Sequence, residues 1–426
     1  MNNIHIRNGR VIDPRNNVDA KQDVYIAAGR IIALGKAPSG FVADSEIDAS
    51  GLVVAPGLID LAARLREPGY EYKATLESEM DAAVAGGITS LSCPPDTDPP
   101  LDEPGLVEML KHRARALNQA HVYPVGALTY GLKGAELTEM AELADAGCMA
   151  FSQADAVLTD TRVLMRAMQY AATFDFSVWL RPQDSFLARN GVAHDGEVAT
   201  RLGLPAIPAC AETIALDTML RLARETGARL HIGRLSSAEG VDMVRAAKER
   251  GLAVTCDISM NHAHLSEMDI GYFDSNCHLV PPLRSQRDRA ALRAGLLDGT
   301  IDAICSNHSP VDDDAKLLPF AEAEAGATGL ELLLPLVLKW ASEEKLSLSE
   351  AIAKVTLQPA RILGVDAGHL SVGVAADLCV FDPQRYWKVE PSALKSQGKN
   401  TPFLGLELQG KVRYTLVNGQ IVYRCE

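Results

Sequence analysis

A chain of 426 residues exceeds one small domain and predicts a large domain carrying an appendage. Its 47% hydrophobic content suits a globular protein, and no apolar run reaches the length of a membrane span. A formal charge of −14 excludes binding to nucleic acid driven by lysine and arginine neutralising phosphates.

The opening Met1-Asn2-Asn3-Ile4-His5-Ile6 shows no basic stretch followed by an apolar core, so no signal or transit peptide is predicted and the expected location is the cytoplasm. The eight cysteines form no CxxC pair and read as reduced thiols. Residues 1–55 alternate short β segments with turn signals, among which Asn8-Gly9 predicts a hairpin. From residue 56 the pattern becomes a repeat of strand and helix. Strands are expected over 58–64, 88–94, 121–128, 148–153, 177–182, 229–235, 253–259 and 302–308. Between them, 77–85, 103–118, 160–173, 211–226, 238–250 and 285–297 space apolar residues as amphipathic helices do. Eight βα units without a glycine-rich nucleotide fingerprint predict an α/β fold, a closed (β/α)₈ barrel over 56–365. The segment 376–382 and the stretch 411–423, which turns at Asn418-Gly419, mirror the N-terminal end. Residues 1–55 and 366–426 are therefore expected to pair into one small β-sandwich domain.

Barrel chemistry sits at the C-terminal strand ends, which here carry Arg64, Arg66, Pro94, Pro95, Asp96, Gln153, Arg181, Arg234, Asn261, His262, Asn307 and His308. A hydrolytic zinc site needs clustered histidines and carboxylates to hold the cation and acidify its water. The first, fourth, fifth and sixth ends offer none.

Several motifs point to a family. Pro56-Gly57-Leu58-Ile59-Asp60-Leu61, Leu65-Arg66-Glu67-Pro68-Gly69, Ala85-Gly86-Gly87-Ile88-Thr89, Val280-Pro281-Pro282-Leu283-Arg284-Ser285 and Gly329-Leu330-Glu331 resemble the type I dihydroorotases of the amidohydrolase superfamily. The likeness also takes in Gly191-Val192, His194, Gly196-Glu197, the run Asp298 to Ile304 and Pro319 to Ala323, and so spans nearly the whole chain. Through this resemblance the family's first two metal histidines fall on Ala62 and Arg64, its bridging aspartate near Gln153, its fifth- and sixth-strand histidines on Arg181 and Arg234, and its acid/base aspartate on Asn307. A shift of one or two residues would bring Asp155 to the site instead of Gln153. The substrate segment reads Pro95-Asp96-Thr97-Asp98-Pro99, Val280 replaces an asparagine, and Arg66, the family's substrate-carboxylate arginine, survives.

Arginine keeps its proton, offers no lone pair and repels a divalent cation, so these replacements oppose metal binding. The expectation is a degenerate homologue with no catalytic residues and no cofactor. The resemblance supplies a role for such a chain: some bacteria carry an inactive dihydroorotase homologue that assembles with aspartate transcarbamoylase. There, trimers of the transcarbamoylase and homodimers of the homologue form a dodecamer.

Three alternatives stay open. His262-Ala263-His264 with His308 offers a relocated metal site, against ordinary lining histidines. Arg64, Arg66, Arg181 and Arg234 offer an anion pocket, against pairing of the arginines with Asp60, Asp96, Asp184 or Asp257. Asp312-Asp313-Asp314 reads as a solvated loop rather than a metal cage.

Overall fold

The computed structural model describes residues 3–425; positions 1, 2 and 426 lie outside the described residues, and with them the start of the leader reading and the extreme ends of the β domain. Eight parallel strands line up in chain order as Leu58–Asp60, Ile88–Cys93, His121–Ala127, Ala150–Ser152, Ser177–Leu180, Arg229–Ile232, Val254–Ser259 and Ala303–Cys305. The first and last meet only beyond their regular portions, where Ala63 bridges His308. Arg64 N donates to His308 O at 2.9 Å and His308 N to Ala62 O at 3.0 Å, which closes the barrel at its C-terminal mouth. That closure sets Arg64 beside Asn307.

Most strand residues are buried because both faces of the sheet are covered, by the barrel interior on one side and helices on the other. The helices Leu76–Ala85, Pro104–Leu117, Thr161–Thr173, Cys210–Thr226, Ala238–Glu249 and Gln286–Asp298 fall within a residue or two of expectation. Side-chain caps explain several starts: the hydroxyls of Thr75, Ser237 and Ser285 and the carboxylate of Asp160 accept from first-turn N–H groups that lack helical partners. Among the described residues no helix is long and apolar enough to cross a membrane. Cys93, Cys148, Cys256, Cys277, Cys305 and Cys379 are buried and unbridged.

The two ends of the chain share a core. Val53–Pro56 pairs antiparallel with Leu378–Lys388, inside a six-stranded sheet that also holds Arg10–Asp13, Val18–Lys21, Glu407–Val417 and Gln420–Arg424. A four-stranded sheet of Arg30–Leu34, Val24–Ala27, Ile4–Arg7 and Ser45–Asp48 packs on it, with Ile6, Val11, Ile26, Val54, Leu378 and Leu416 buried between. Asn418-Gly419 is the expected tight hairpin, with φ of 49° and 69° and Val417 facing Gln420.

Asn8-Gly9 is not a hairpin. Ile4–Arg7 and Arg10–Asp13 belong to different sheets, and the pair carries the chain across between them. Asn8 N is held by Asp23 Oδ1 at 2.9 Å, and a Cβ on Gly9 would sit 2.7 Å from Val54 Cγ2. The glycine is there for close approach between sheets. Gly9→Ala is expected to destabilise the protein by about 1–2 kcal/mol through overpacking, read as a lower urea midpoint at unchanged slope. The Asp312 to Asp314 run also differs from a plain loop: Asp312 caps the short helix Asp313–Lys316.

Candidate functional site

At the barrel mouth three guanidiniums converge on one carboxylate. Arg64, from the first strand end, donates through Nη2 to Asp155 Oδ2 at 2.5 Å. Arg181, from the fifth, donates through Nε to Asp155 Oδ1 at 2.6 Å, and Arg234, from the sixth, through Nη2 to the same oxygen at 2.7 Å. Arg64 is held further by Asp96 Oδ2 at 2.7 Å and Ser309 Oγ at 2.9 Å. Arg234 Nη1 reaches Asn307 Oδ1 at 3.2 Å, and Asn307 Nδ2 donates to Val280 O at 3.2 Å. Thus Asn307 accepts from a buried cation where the resemblance implies an acid/base carboxylate.

Electrostatics follow the geometry. Burial alone would raise Asp155, but the charges of Arg234, Arg64 and Arg181 override it and hold its carboxyl well below the usual range. Burial, then the charge of Arg234, pulls Arg181 down despite Asp155. For Arg64, burial is outweighed by Asp96 and Asp155, and its value rises. Arg64 divides its charge between Asp96 and Asp155, while Arg181 and Arg234 share Asp155. Ala154, Arg234, Asn307 and Arg66 all take left-handed backbone, with φ of 50°, 57°, 51° and 62°. Such strain in non-glycine residues persists where tertiary contacts over-determine it, and it gathers at sites.

The carboxylate alternatives resolve one by one. Gln153 is not in this cluster: its amide exchanges hydrogen bonds with Thr129 Oγ1 at 2.8 and 3.1 Å, and Asp155, two residues on, occupies the mouth. Of the acidic partners expected for the arginines, only Asp96 receives a guanidinium. Asp60 is tied to Ser306, Asp184 to the amides of Phe186 and Leu187, and Asp257 to His231 and the backbone of Arg234. Of the two readings of these arginines, the structure shows Arg64, Arg181 and Arg234 gathered around one carboxylate, that of Asp155. Arg66 stands apart, donating to Pro310 O at 2.9 Å, with Glu324 at 3.8 Å.

The three histidines do not assemble. His262 and His264 lie on the short helix Met260–His264, not on a strand, so positions two apart point about 200° away from each other around the axis. His262 Nε2 meets Pro282 O at 3.1 Å and His264 Nε2 meets Leu336 O at 2.9 Å. Burial takes both down to about 4. His308 Nε2 meets Glu79 Oε2 at 2.6 Å inside the core, and its Nδ1 accepts from Gly329 N at 3.0 Å.

The family's fold implies a metal here, and the residues do not fit one. No cluster of three or more histidine, cysteine, aspartate or glutamate side chains among the described residues is arranged to hold an ion. The cavity beneath the arginines measures about 50 Å³ and is lined by Ala62, Trp179 and His231 among others. That is room for a water or two, far below the few hundred Å³ of a pocket for a ring-sized substrate. Asp155 is the shifted alternative to Gln153 that the sequence allows, whereas Ser309, on the loop after the eighth strand, carries no signal of its role in the sequence.

The barrel and the terminal sheets define a class, the amidohydrolase-type barrel: an L-hydantoinase from Arthrobacter aurescens has the same fold, with a TM-score of 0.89 at 24% identity over 100% of this chain and 96% of its own. Residues 51–240 match the dihydro-orotase-like family model and residues 328–423 the amidohydrolase family model. A dihydroorotase-like protein of Pseudomonas aeruginosa is 46% identical over 99% of both chains, and a dihydroorotase of Geobacter sp. (strain M21) is 41% identical over 99% of this chain and 100% of its own. The chain belongs to the dihydroorotase-like family.

Proposed function

We propose that this chain is a noncatalytic dihydroorotase-like subunit that pairs with itself and assembles with the catalytic chain of aspartate transcarbamoylase in de novo pyrimidine synthesis. The observation that carries the reading is the convergence of Arg64, Arg181 and Arg234 on Asp155, at positions where the family resemblance implies metal ligands and their neighbours. A mouth whose arginines stand where metal ligands are implied gives no place to a metal-bound hydroxide, and a role in assembly gives a reason to keep the barrel. Exposed apolar side chains support an external partner: Phe186 is 77%, Tyr272 90% and Leu317 82% exposed, on loops that follow the fifth, seventh and eighth strands. The loops of Tyr272 and Leu317 are stitched together, Ser275 Oγ donating to Lys316 O at 2.6 Å and Lys316 Nζ to Ser275 O at 2.9 Å.

Co-expression with the same organism's transcarbamoylase chain tests this directly. The two are expected to co-elute as one assembly by size exclusion with light scattering, and the transcarbamoylase alone to lose assembly or activity. A transcarbamoylase fully assembled and active without this chain rejects the proposal.

A second reading is favoured by the relatives named dihydroorotase at 41% identity over nearly full length. It makes this chain a metal-dependent cyclic amidohydrolase, and metal content together with dihydroorotate turnover separates the two.

A further inference from the structure

The arginine cluster is built as a receptor whose ligand is already in place. Both oxygens of Asp155 are read, Oδ1 by Arg181 and Arg234 and Oδ2 by Arg64, at 2.5–2.7 Å. The side chains of these arginines are only 4–9% exposed, whereas that of Asp155 is 32% exposed. The cations belong to the wall, and the carboxylate enters from the solvent side. Each arginine also has an anchor other than Asp155: Arg64 holds Asp96 and Ser309, Arg181 holds Gln183, and Arg234 reaches Asn307. Those anchors keep the donors aimed when Asp155 is out, which is the preorganisation that binding needs. The tether is short and irregular, for no helix begins between the strand Ala150–Ser152 and Thr161, and Ala154 sits at a φ of 50°. A left-handed alanine is a strained joint held by its surroundings and relaxed by release.

We propose that the barrel mouth is a carboxylate-binding site with Asp155 as its tethered occupant, and that a small carboxylate ligand takes the position when the 155–160 segment swings out about Ala154. The proposal rests on the same arginine cluster as the noncatalytic reading, but its test is separate: carboxylate binding and transcarbamoylase assembly are read by different experiments and either can fail alone. The donors address two oxygens, the pattern of a planar carboxylate edge. Behind them, the cavity faced by Leu61, Ala62, Val125 and Trp179 takes a short alkyl stub, and Asp257 in the same wall disfavours a second carboxylate, so the ligand is a monocarboxylate in the range of acetate to propionate.

The test titrates the full-length chain and its Asp155→Ala variant with acetate, propionate and inorganic phosphate, by calorimetry and by thermal melting in chloride buffer. Asp155→Ala is expected to melt below the unsubstituted protein in chloride, to recover with acetate, and to bind acetate at least about tenfold tighter than the unsubstituted protein. Adding Arg234→Gln should abolish that gain. If Asp155→Ala folds by circular dichroism only when acetate is present, the proposal is equally supported. It is overturned if neither carboxylate restores the variant, if the folded variant binds no tighter, or if the gain survives Arg234→Gln. Phosphate binding tighter than either carboxylate overturns the carboxylate assignment.

Discussion

Asp155→Asn will cost the protein about 3 kcal/mol of stability at neutral pH, because one substitution strips the counter-charge from buried Arg181 and Arg234 and leaves Arg64 with Asp96 alone. Breaking a buried pair costs more than the pair itself contributes, since the cations left behind are neither solvated nor matched. The lower end of the usual range applies because the Asp155 side chain is 32% exposed and water enters from that side. Urea unfolding followed by circular dichroism measures the loss. A pH signature accompanies it. The folded value of Asp155 lies below its unfolded value, so its contribution is complete above an unfolded pKa of about 3.9 and is lost as pH falls through the depressed folded value. Asp155→Asn should therefore show a shallower loss of stability below about pH 4 than the unsubstituted protein. Equal stability of the two at pH 7 would mean that the arginines do not depend on Asp155.

The second large effect is a gain of metal. Purified from metal-supplemented cells, the unsubstituted chain is expected to carry less than about a tenth of an equivalent of zinc, cobalt or manganese. The combined variant Ala62→His, Arg64→His, Arg181→His and Arg234→His removes three cations, supplies four imidazoles and frees Asp155 as a carboxylate ligand. It should bind about one equivalent, read by elemental analysis, because four-coordinate nitrogen and oxygen sets suit zinc. Turnover of dihydroorotate should stay near background until Asn307→Asp returns a proton-accepting group. Zinc retained by the unsubstituted chain at one or two equivalents, with ring hydrolysis, would sink the noncatalytic reading and favour the hydrolase.

Several family-like motifs turn out to position the site rather than form it. Arg284 of the Pro-Pro-Leu-Arg run donates to Ile207 O at 2.9 Å and Ser236 Oγ at 3.2 Å, fastening the small Ala193–Ile207 excursion to the sixth strand end. Glu331 accepts from Lys395 N, and Gly329 N caps His308. Such residues remain useful to a barrel whatever happens at its mouth, which is why the resemblance stays legible along the whole chain while the ligand positions diverge.

The sequence by itself determined the eight βα units, the pairing of the two chain ends and the arginines at strand ends one, five and six, since all rest on local periodicity, turn chemistry or motif spacing. Only the tertiary structure decided what those arginines do. Whether a guanidinium meets Asp60, Asp96, Asp184, Asp257 or Asp155 depends on which loop folds back over the mouth, and no spacing along the chain encodes that distance. For the same reason the Asn8-Gly9 pair became a crossing between sheets rather than a hairpin, because a turn signal fixes a backbone conformation and leaves the identity of the neighbouring strand to packing. His262-Ala263-His264 lost its strand-like pattern to a short helix capped by Ser259. Local propensity chose the elements, and long-range charge pairing in a desolvated mouth chose the site.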